Sequence, residues 1–558
     1  MPTLDRFLRY DELTAELHAL AAASPDLIEL SSIGRSHKDR EIWLATVTDT
    51  STGPHHGKPA HWVDANIHAV ELTGSVAALH LIDRLVSAHG VDERVTRALR
   101  TRTFYVVPRL NPDGAELVLA DRPRFLRSSV RRWPWGDGHE APGLREEDVD
   151  GDGRLLTMRL PDPDGAWRPH PDEPRLLVRR RPDDGGGDGC FRVLAEGTVV
   201  DHDGFTVATP GPPEGLDLNR NFPAGWGTEV PGPGDYPGSE PEVRALMSAL
   251  IERPNVCGYN AFHTCGGVLL RPSSSRPDKD LPPVDVWTWK HLGTRGTELT
   301  TYPVHSLFEE FTWDPSKVMS GAADDWAYEH LGVYSWTTEF WDVIAAATGE
   351  RAATDIWVTG PSAEQELAVL RWADVHHPGE AFIDWYPFEH PQLGPVELGG
   401  WNELTSWANP PAGRLAAEVG PHADFAVFQA LAAPCLEIGL ADAAAVGEGT
   451  WRVRAGLANT GWLPTTVTER ARANNLVLPL VAELILPPSA ELLDPPARRE
   501  LGQLGGRRSF ELNGGERNDG TPDRVLTAWT VRAPTETEVV IEARHQRAGT
   551  ARATLRLG

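Results

Sequence analysis

The chain is poor in cysteine, in positive charge and in long apolar runs, and each shortage excludes a class of protein. Four cysteines among 558 residues, none in a CxxC pair, are too few for a disulfide scaffold or a cysteine-type zinc site. No run reaches the roughly 18 apolar residues of a membrane span. The best candidate, 476–486, contains Pro479 and Glu483. With 53 basic against 80 acidic residues, the net charge of −27 disfavours nucleic acid and membranes as partners.

The amino-terminal segment, MPTLDRFLRYDEL, has no basic n-region followed by an apolar h-region. A signal peptide is therefore not expected, and the cytoplasm is the default location. The composition, 40% hydrophobic and 24% charged, is that of a globular protein. A length of 558 residues exceeds one ordinary core and favours two domains.

Periodicity divides the chain into an α/β part and a β part. Over 1–385, apolar-periodic helices such as 10–23 alternate with β-branched runs, which predicts a mixed, mostly parallel sheet flanked by helices. Residues 128–215, rich in Gly, Pro, Asp and Arg, interrupt this pattern as a long insertion. We expect 386–412 to be an extended connector and 413–558 to form a β-sandwich accessory domain that opens with one helical stretch at 413–432.

Three residues of the types that ligate metals stand at the ends of predicted strands. His68 and Glu71 form an HxxE pair after the strand at 61–67, and His263 follows the strand at 256–262. Each residue also has an explanation that needs no metal. His68 would be a solvated histidine, Glu71 a glutamate stabilised at a helix start, and His263 a capped loop histidine. Ligands of α/β folds bind at the carboxyl ends of strands. Together the three residues would form a His₂Glu site with one open position, the layout of a catalytic zinc.

Further residues have the chemistry of a hydrolytic site. Glu339 ends the run YSWTTE, where partial desolvation would raise its pKa and suit it to general acid–base catalysis; the alternative is a strand-end glutamate in water. Asn219 and Arg220, in DLNRNF, are adjacent donors able to grip a carboxylate, or else form a surface ion pair. Arg127, in RFLR, would suit a developing oxyanion.

The order of these segments carries a family resemblance. The motifs HAVE, RLNPDG, RFLR, DLNRNF, YPGSEPE, AFHT and YSWTTEF resemble, in this order, those of the zinc carboxypeptidases (the M14 metallopeptidases of the carboxypeptidase A/B type). The resemblance covers about 9–385 apart from 128–215. It implies a zinc-dependent enzyme with a peptide that has a free C-terminus as its partner.

The resemblance also implies individual roles. His68, Glu71 and His263 match the zinc ligands, and Asp217 matches the carboxylate that orients the first histidine. Glu339 matches the general base that takes a proton from the attacking water and returns it to the leaving amine.

Arg127 matches the arginine that polarises the scissile carbonyl, and Asn219 and Arg220 match the pair that holds the substrate's terminal carboxylate. Two positions depart from the family pattern. Val70 stands where an arginine often separates the two ligands of the HxxE motif, and Lys317 stands where a lid tyrosine is expected.

Tyr302 is a candidate replacement for the lid tyrosine. Asp324 matches the position that, in the carboxypeptidase B branch, lies at the base of the pocket for the last side chain. An anionic pocket floor predicts a preference for Lys or Arg. The alternative is that Asp324 or Asp325 caps the helix carrying Trp326.

The insertion has a signal of its own. Asp148, Asp150 and Asp152 begin a D-x-D-x-D-G pattern typical of a calcium loop, but the twelfth position is Arg159 rather than a bidentate glutamate. A bound Ca²⁺ and an Asp-Gly-rich turn are both consistent with it.

The sequence therefore predicts a zinc metallocarboxypeptidase that hydrolyses the C-terminal peptide bond. One alternative is a zinc amidase or deacylase that acts on a non-peptide or isopeptide amide, since the insertion would be able to roof the cleft. The alternative from another class is a non-catalytic protein that holds C-termini. The oligomeric state is left open.

Overall fold

The computed structural model describes residues 5–134, 136, 141–311, 318–354, 356–508 and 520–558. Lys317 lies outside these residues. Up to residue 118 the elements are α1 (Tyr10–Ala23), β1 (Ile28–Arg35), β2 (Glu41–Val47), β3 (Ala60–Ala65), α2 (Thr73–Ser87), α3 (Glu93–Thr101), β4 (Thr103–Val107) and α4 (Pro112–Val118). The insertion adds β5 (Gly143–Glu146), β6 (Thr157–Pro161), β7 (Trp167–Pro169), β8 (Leu177–Arg179), β9 (Phe191–Ala195) and β10 (Gly197–Val200).

The chain then returns to regular α/β structure. The next elements are α5 (Pro241–Ile251), β11 (Val256–Thr264), β12 (Val268–Arg271), α6 (Pro283–Thr300), β13 (Val304–Ser306), α7 (Leu307–Glu310), α8 (Ala323–Trp326), β14 (Tyr334–Phe340), α9 (Val343–Thr348), α10 (Ile356–Thr359) and α11 (Ala363–His376).

The last part of the chain begins with a hairpin and one long helix. Its elements are β15 (Phe382–His390), β16 (Gly394–Trp401), α12 (Leu415–Ala432), β17 (Leu436–Gly447), β18 (Thr450–Asn459), α13 (Glu469–Ala473), β19 (Val481–Ile485), β20 (Glu491–Leu492), β21 (Arg498–Glu500), β22 (Arg524–Arg532), β23 (Glu538–His545) and β24 (Gly549–Arg556).

The first domain is built on an eight-stranded mixed sheet of order β1-β2-β4-β3-β11-β14-β12-β13. Strands β4, β3, β11 and β14 are parallel neighbours at its centre. Every residue of β3 is buried, as expected for a strand covered on both faces. The sheet and its flanking helices confirm the predicted fold class. Because the central strands are parallel, the carboxyl ends of β3, β11 and β14 meet at one edge, where the site lies.

The segment expected to be an extended connector is a β-hairpin instead. Strands β15 and β16 pair with each other, and β16 continues onto β6 of the insertion, where Glu397 lies opposite Arg159. The resulting six-stranded sheet has the order β15-β16-β6-β9-β7-β8. The connector prediction for 386–412 is thus wrong for this hairpin. Its backbone hydrogen bonds are satisfied by a partner strand more than 200 residues away.

Helix α12 was expected to open the β-sandwich domain, but it packs on the first one. Its buried residues Leu415, Val419 and Ala426 belong to the same hydrophobic core as Leu79 and Ile82 of α2. The chain after α12 forms two four-stranded antiparallel sheets, β17-β18-β22-β20 and β21-β19-β23-β24, around a shared core. This arrangement confirms the predicted antiparallel C-terminal domain. None of the described helices is long and apolar enough to span a bilayer.

The buried side chain of Arg547 fastens the C-terminal domain to the first domain. Its guanidinium donates to the carbonyl oxygens of Gly332 and Thr466, each at 2.9 Å. Gly332 lies just before β14, the strand that carries Glu339. The two domains are therefore in direct contact next to the start of β14, at the opposite end of the strand from Glu339.

Two buried histidines each contribute a loss of stability in acid. Burial lowers the pKa of His61 and of His422 to about 3, and neither ring has a hydrogen-bond partner among the described residues. As the pH falls below about 6.5, the unfolded chain binds protons at these rings while the folded chain does not. The free energy of unfolding should therefore fall by roughly 1.4 kcal/mol per pH unit for each histidine.

Urea unfolding between pH 7 and pH 5 measures this effect. His422 packs between the rings of Tyr302 and Phe340, so His422→Phe replaces one ring by another. This variant should lose about half of the pH dependence that the two histidines cause. The exposed His56→Phe serves as the control. An unchanged slope in His422→Phe would contradict the assignment.

Candidate active site

The HxxE loop is held by an asparagine that the sequence analysis missed. Asn66 follows β3 with a φ of +59°, a left-handed conformation that asparagine tolerates better than most residues. Its side-chain amide donates to the carbonyl oxygens of His68 at 2.6 Å and of Ala69 and Glu71 at 3.3 Å. These bonds curl the backbone so that His68 and Glu71 face the same point. The strand predicted at 61–67 ends at Ala65 instead, and the polar Asn66 near the end of that run was the available signal.

His68, Glu71 and His263 converge on one buried point. The Glu71 carboxylate lies 2.7 Å from Nδ1 of His68 and 2.8 Å from Nδ1 of His263. The two Nδ1 atoms are 3.1 Å apart. Two imidazole nitrogens and a carboxylate oxygen, all within 4.8 Å of one another, form a donor set that fits a zinc ion. The strand β11 runs one residue past His263, so this histidine lies inside the strand rather than after it.

Asp217 and Arg127 lie directly beside these three residues. Oδ1 of Asp217 is 3.1 Å from Nε2 of His68, so it orients the ring from its far side. Arg127 donates to Glu71 at 3.0 Å and lies 3.4 Å from Asp217, with about half of its side chain exposed to the cleft. Burial opposes ionisation of Asp217, but the charges of Arg127 and His68 hold its pKa well below the usual range. Asp217 is therefore an anion.

Glu339 is the register partner of His263 across β11 and β14. Its side chain lines the cleft, and its Oε2 is buried without a hydrogen-bond partner among the described residues. Burial raises the pKa of Glu339 to about 8, with Glu71 also raising it and His263 and Arg127 opposing. A desolvated carboxylate with a free oxygen beside the donor set can exchange a proton with a reacting group.

Asn219 and Arg220 line the same cleft, which has a volume of about 530 Å³. Asp217 accepts a hydrogen bond from the backbone N–H of Asn219 and so starts a single 3₁₀ turn, Leu218–Arg220. Oδ1 of Asn219 accepts from the N–H of Ala323 at 2.9 Å, and the Arg220 guanidinium donates to the carbonyl of Asn219 at 2.7 Å. Both side chains are fixed before any ligand enters.

Asp324 lines this cleft as well, whereas Tyr302 does not. The Asp324 carboxylate is buried and accepts from the N–H of Asp325 at 3.0 Å and from the hydroxyl of Thr337 at 3.2 Å. Tyr302 is buried elsewhere, and its hydroxyl contacts Glu418. The hypothesis that Tyr302 replaces the lid tyrosine is wrong.

The end of the insertion forms one wall of the cleft. Pro212, Glu214 and Leu216 line it. Glu214 is buried and fixed by a bidentate ion pair with Arg124, with N–O distances of 3.1 and 2.8 Å. This wall is therefore rigidly attached to the segment that leads to Arg127.

Comparison with known proteins places this site in a family. The zinc carboxypeptidase model (Peptidase_M14) matches residues 13–347, and a domain of unknown function (DUF8731) matches 435–556. Carboxypeptidase A2 of Rattus norvegicus is 24% identical over 348 residues, which cover 60% of this chain and 62% of that protein. Carboxypeptidase M of Mus musculus is 33% identical over 113 residues, 20% of this chain and 26% of that protein.

Among solved structures, carboxypeptidase A from Helicoverpa armigera aligns at 18% identity and a TM-score of 0.41, covering 67% of this chain and 75% of that one. The chain spans less than two thirds of the length of either curated relative. The family model, however, covers more than half of this chain and includes every candidate zinc ligand. The chain therefore belongs to the zinc carboxypeptidase family.

Proposed function

We propose that this protein is a zinc-dependent carboxypeptidase that hydrolyses the C-terminal bond of peptides. The observation that carries the proposal is one cleft lined by His68 and His263, by a desolvated Glu339 and by the donors Arg127 and Arg220. Glu71 completes the donor set of the two histidines. A cleft that only held C-termini would have no use for a proton acceptor beside a metal site.

The residues divide the chemistry between them. Zinc held by His68, Glu71 and His263 supplies Lewis acidity toward the scissile carbonyl and the attacking water. Glu339 takes a proton from that water as the water oxygen attacks the carbonyl carbon. It then delivers the proton to the amide nitrogen as the C–N bond breaks.

Arginine side chains provide the charge that substrate and transition state require. Arg127, half exposed and anchored by Glu71 and Asp217, presents its guanidinium to the developing oxyanion. Asn219 and Arg220 bind the terminal carboxylate, and Asp217 holds His68 in its ligating orientation.

Peptides that differ only in the last residue, each with a free or an amidated C-terminus, test the proposal. We expect chelator-sensitive release of the last amino acid from free C-termini only. If protein with stoichiometric zinc releases nothing from any of them, the carboxypeptidase proposal fails. The amidase alternative then becomes the better reading, because the insertion walls the cleft.

We propose further that Asp324 selects substrates with a basic last residue. Its carboxylate is buried in the cleft, and no described lysine or arginine pairs with it. The neighbouring Asp325 is instead occupied by the N–H and hydroxyl of Ser274. A buried carboxylate without a cationic partner favours a substrate that supplies one.

The isosteric substitution Asp324→Asn tests this preference. For peptides ending in Lys or Arg, we expect kcat/KM to fall by roughly 10²-fold, while peptides ending in Leu or Phe change by less than about threefold. The exposed Asp11→Asn is the matched control. An unchanged ratio of basic to apolar substrates would refute the role of Asp324.

For the insertion we propose a Ca²⁺ site of altered composition. Asp148, Asp150 and Glu196 each place one carboxylate oxygen within 4.8 Å of the others, whereas Asp152 does not join this group. Burial, together with the charges of Asp150 and Asp148, raises the pKa of Glu196 to about 7. Arg159, at the twelfth position of the loop pattern, is paired with Glu397 at 2.8 Å. The third carboxylate of the group comes from Glu196 instead. Carboxylate oxygens are the ligands that Ca²⁺ prefers.

Thermal melting with and without Ca²⁺ tests this site. We expect Ca²⁺ at 100 times its Kd to raise the free energy of unfolding by about 2.7 kcal/mol, and Glu196→Gln to abolish the gain. The exposed Asp183→Asn, elsewhere in the insertion, removes one negative charge and should retain the response to Ca²⁺. Calorimetry without detectable Ca²⁺ binding would end the proposal.

A further inference from the structure

A second cavity lies just past the ends of the two strands that carry His263 and Glu339. Cys265 and Gly266 continue from β11, Trp341 continues from β14, and all three line this cavity. The N–H of Gly266 donates to the carbonyl of Trp341 at 2.7 Å, which ties the two strand ends together. The cavity thus begins immediately beside the catalytic candidates.

The second cavity adjoins the main cleft through one shared residue. Phe311 lines both of them. Asn219, Arg220 and Asp324, which we assign to the last residue of the substrate, line only the main cleft. A peptide whose last residue occupies these three side chains would direct its preceding residues, the acyl side of the scissile bond, toward the second cavity.

Part of the second cavity comes from chain outside the family match of 13–347. Ile356, Pro361 and Trp407 line it. The residues that flank Trp407 in the sequence are hydrogen-bonded to the site on both sides. The indole N–H of Trp341 donates to the carbonyl of Ser406 at 2.7 Å.

On the other side of Trp407, Asn409 binds the HxxE loop. Its amide donates to the carbonyl of Val70 at 2.8 Å, and its Oδ1 accepts from the N–H of Thr73 at 3.0 Å. Val70 is buried and stands where the family often has an arginine. This part of the site is therefore apolar and is built partly by chain outside the family match.

The dimensions of the second cavity match one apolar side chain. Its volume is about 130 Å³. An apolar protein cavity of about 150 Å³ is known to hold benzene. Among the described residues of its wall, Asp342 is the one carboxylate, and it is occupied by the N–H groups of Ala345 at 2.9 Å and Ala352 at 3.1 Å. A charged side chain placed here would lose its hydration without gaining a partner.

We propose that this cavity binds an apolar side chain, aromatic or branched aliphatic, from the two residues that precede the scissile bond. The inference rests on the proposed carboxypeptidase function and narrows its substrates to peptides with an apolar residue near the C-terminus. Trp407 and Ile356 are then specificity-determining residues contributed from beyond the family-matched segment.

Peptides that share one last residue test the inference. The two residues before it are Ala-Ala, Phe-Ala, Ala-Phe, Leu-Ala, Ala-Leu, Asp-Ala or Ala-Asp. We expect kcat/KM to be roughly 10- to 100-fold higher for Phe or Leu than for Ala at one of the two positions, and no gain for Asp. Equal kcat/KM for Phe, Leu and Ala at both positions would overturn the inference. No hydrolysis of any of the seven peptides would overturn the carboxypeptidase function itself.

Variants that fill the second cavity test whether the preference for apolar residues depends on it. Ala353 is exposed at its rim, so Ala353→Phe should reduce the ratio of Phe to Ala substrates to about 1. Thr354→Trp, at another point of the rim, gives the same test if Ala353→Phe does not fold. Ala22→Phe, an exposed alanine on α1, should retain the wild-type ratio. A wild-type ratio in both cavity variants would overturn the assignment.

Discussion

Replacing Glu339 by glutamine is expected to lower kcat by roughly 10²- to 10⁴-fold, the range by which a positioned general acid–base accelerates a reaction. Glutamine keeps the size of the side chain and removes its capacity to take up a proton. Glu339 shares register with His263 but is not one of the three converging ligands. The variant should therefore retain one zinc per chain and change KM little.

Metal analysis and steady-state kinetics on the same preparation separate these effects. Glu29→Gln, an exposed glutamate on β1, provides a matched control that should keep wild-type kcat. If Glu339→Gln keeps kcat within a factor of ten at full zinc occupancy, Glu339 is not the proton acceptor. If it loses zinc, the assignment of the ligand set is wrong instead.

The candidate ligand set could be predicted from the sequence because its convergence depends on a simple topological rule. His68 and His263 stand at the ends of neighbouring parallel strands, and the carboxyl ends of such strands meet at one edge. The supporting asparagines could not be inferred in the same way. Asn409 contacts Val70 across 339 positions of sequence, and no local pattern predicts which loop will return to the site.

The hairpin at 382–401 shows why the domain prediction failed in part. Its Trp, Pro and Gly content hides the alternation of apolar and polar residues by which strands are recognised. Its strands also pack on the insertion, a partner that no local pattern indicates. Helix α12 was recognised as a helix but assigned to the wrong core. Periodicity identifies the buried face of a helix, but not the partner that buries it.

Replacing Arg220 by methionine is expected to lower kcat/KM by roughly 10²- to 10³-fold for substrates with a free C-terminus. Removing one partner of a buried charged contact costs about 3–5 kcal/mol, since the carboxylate that remains is left unpaired. Arg220 is buried, and its guanidinium is oriented by the carbonyl of Asn219 at 2.7 Å. Methionine preserves the length and apolar stem of the side chain and removes its charge.

The amidated peptides make the Arg220 prediction specific, because an amide carries no charge for the arginine to bind. For Arg220→Met, the ratio of kcat/KM between free and amidated C-termini should approach 1, whereas the wild-type protein should strongly favour the free acid. Arg244→Met, at an exposed position on α5, controls for the loss of an arginine elsewhere. If Arg220→Met still rejects the amide as the wild type does, another group holds the terminal carboxylate. Arg127, the other arginine among the described residues that line the cleft, would then be the residue to substitute.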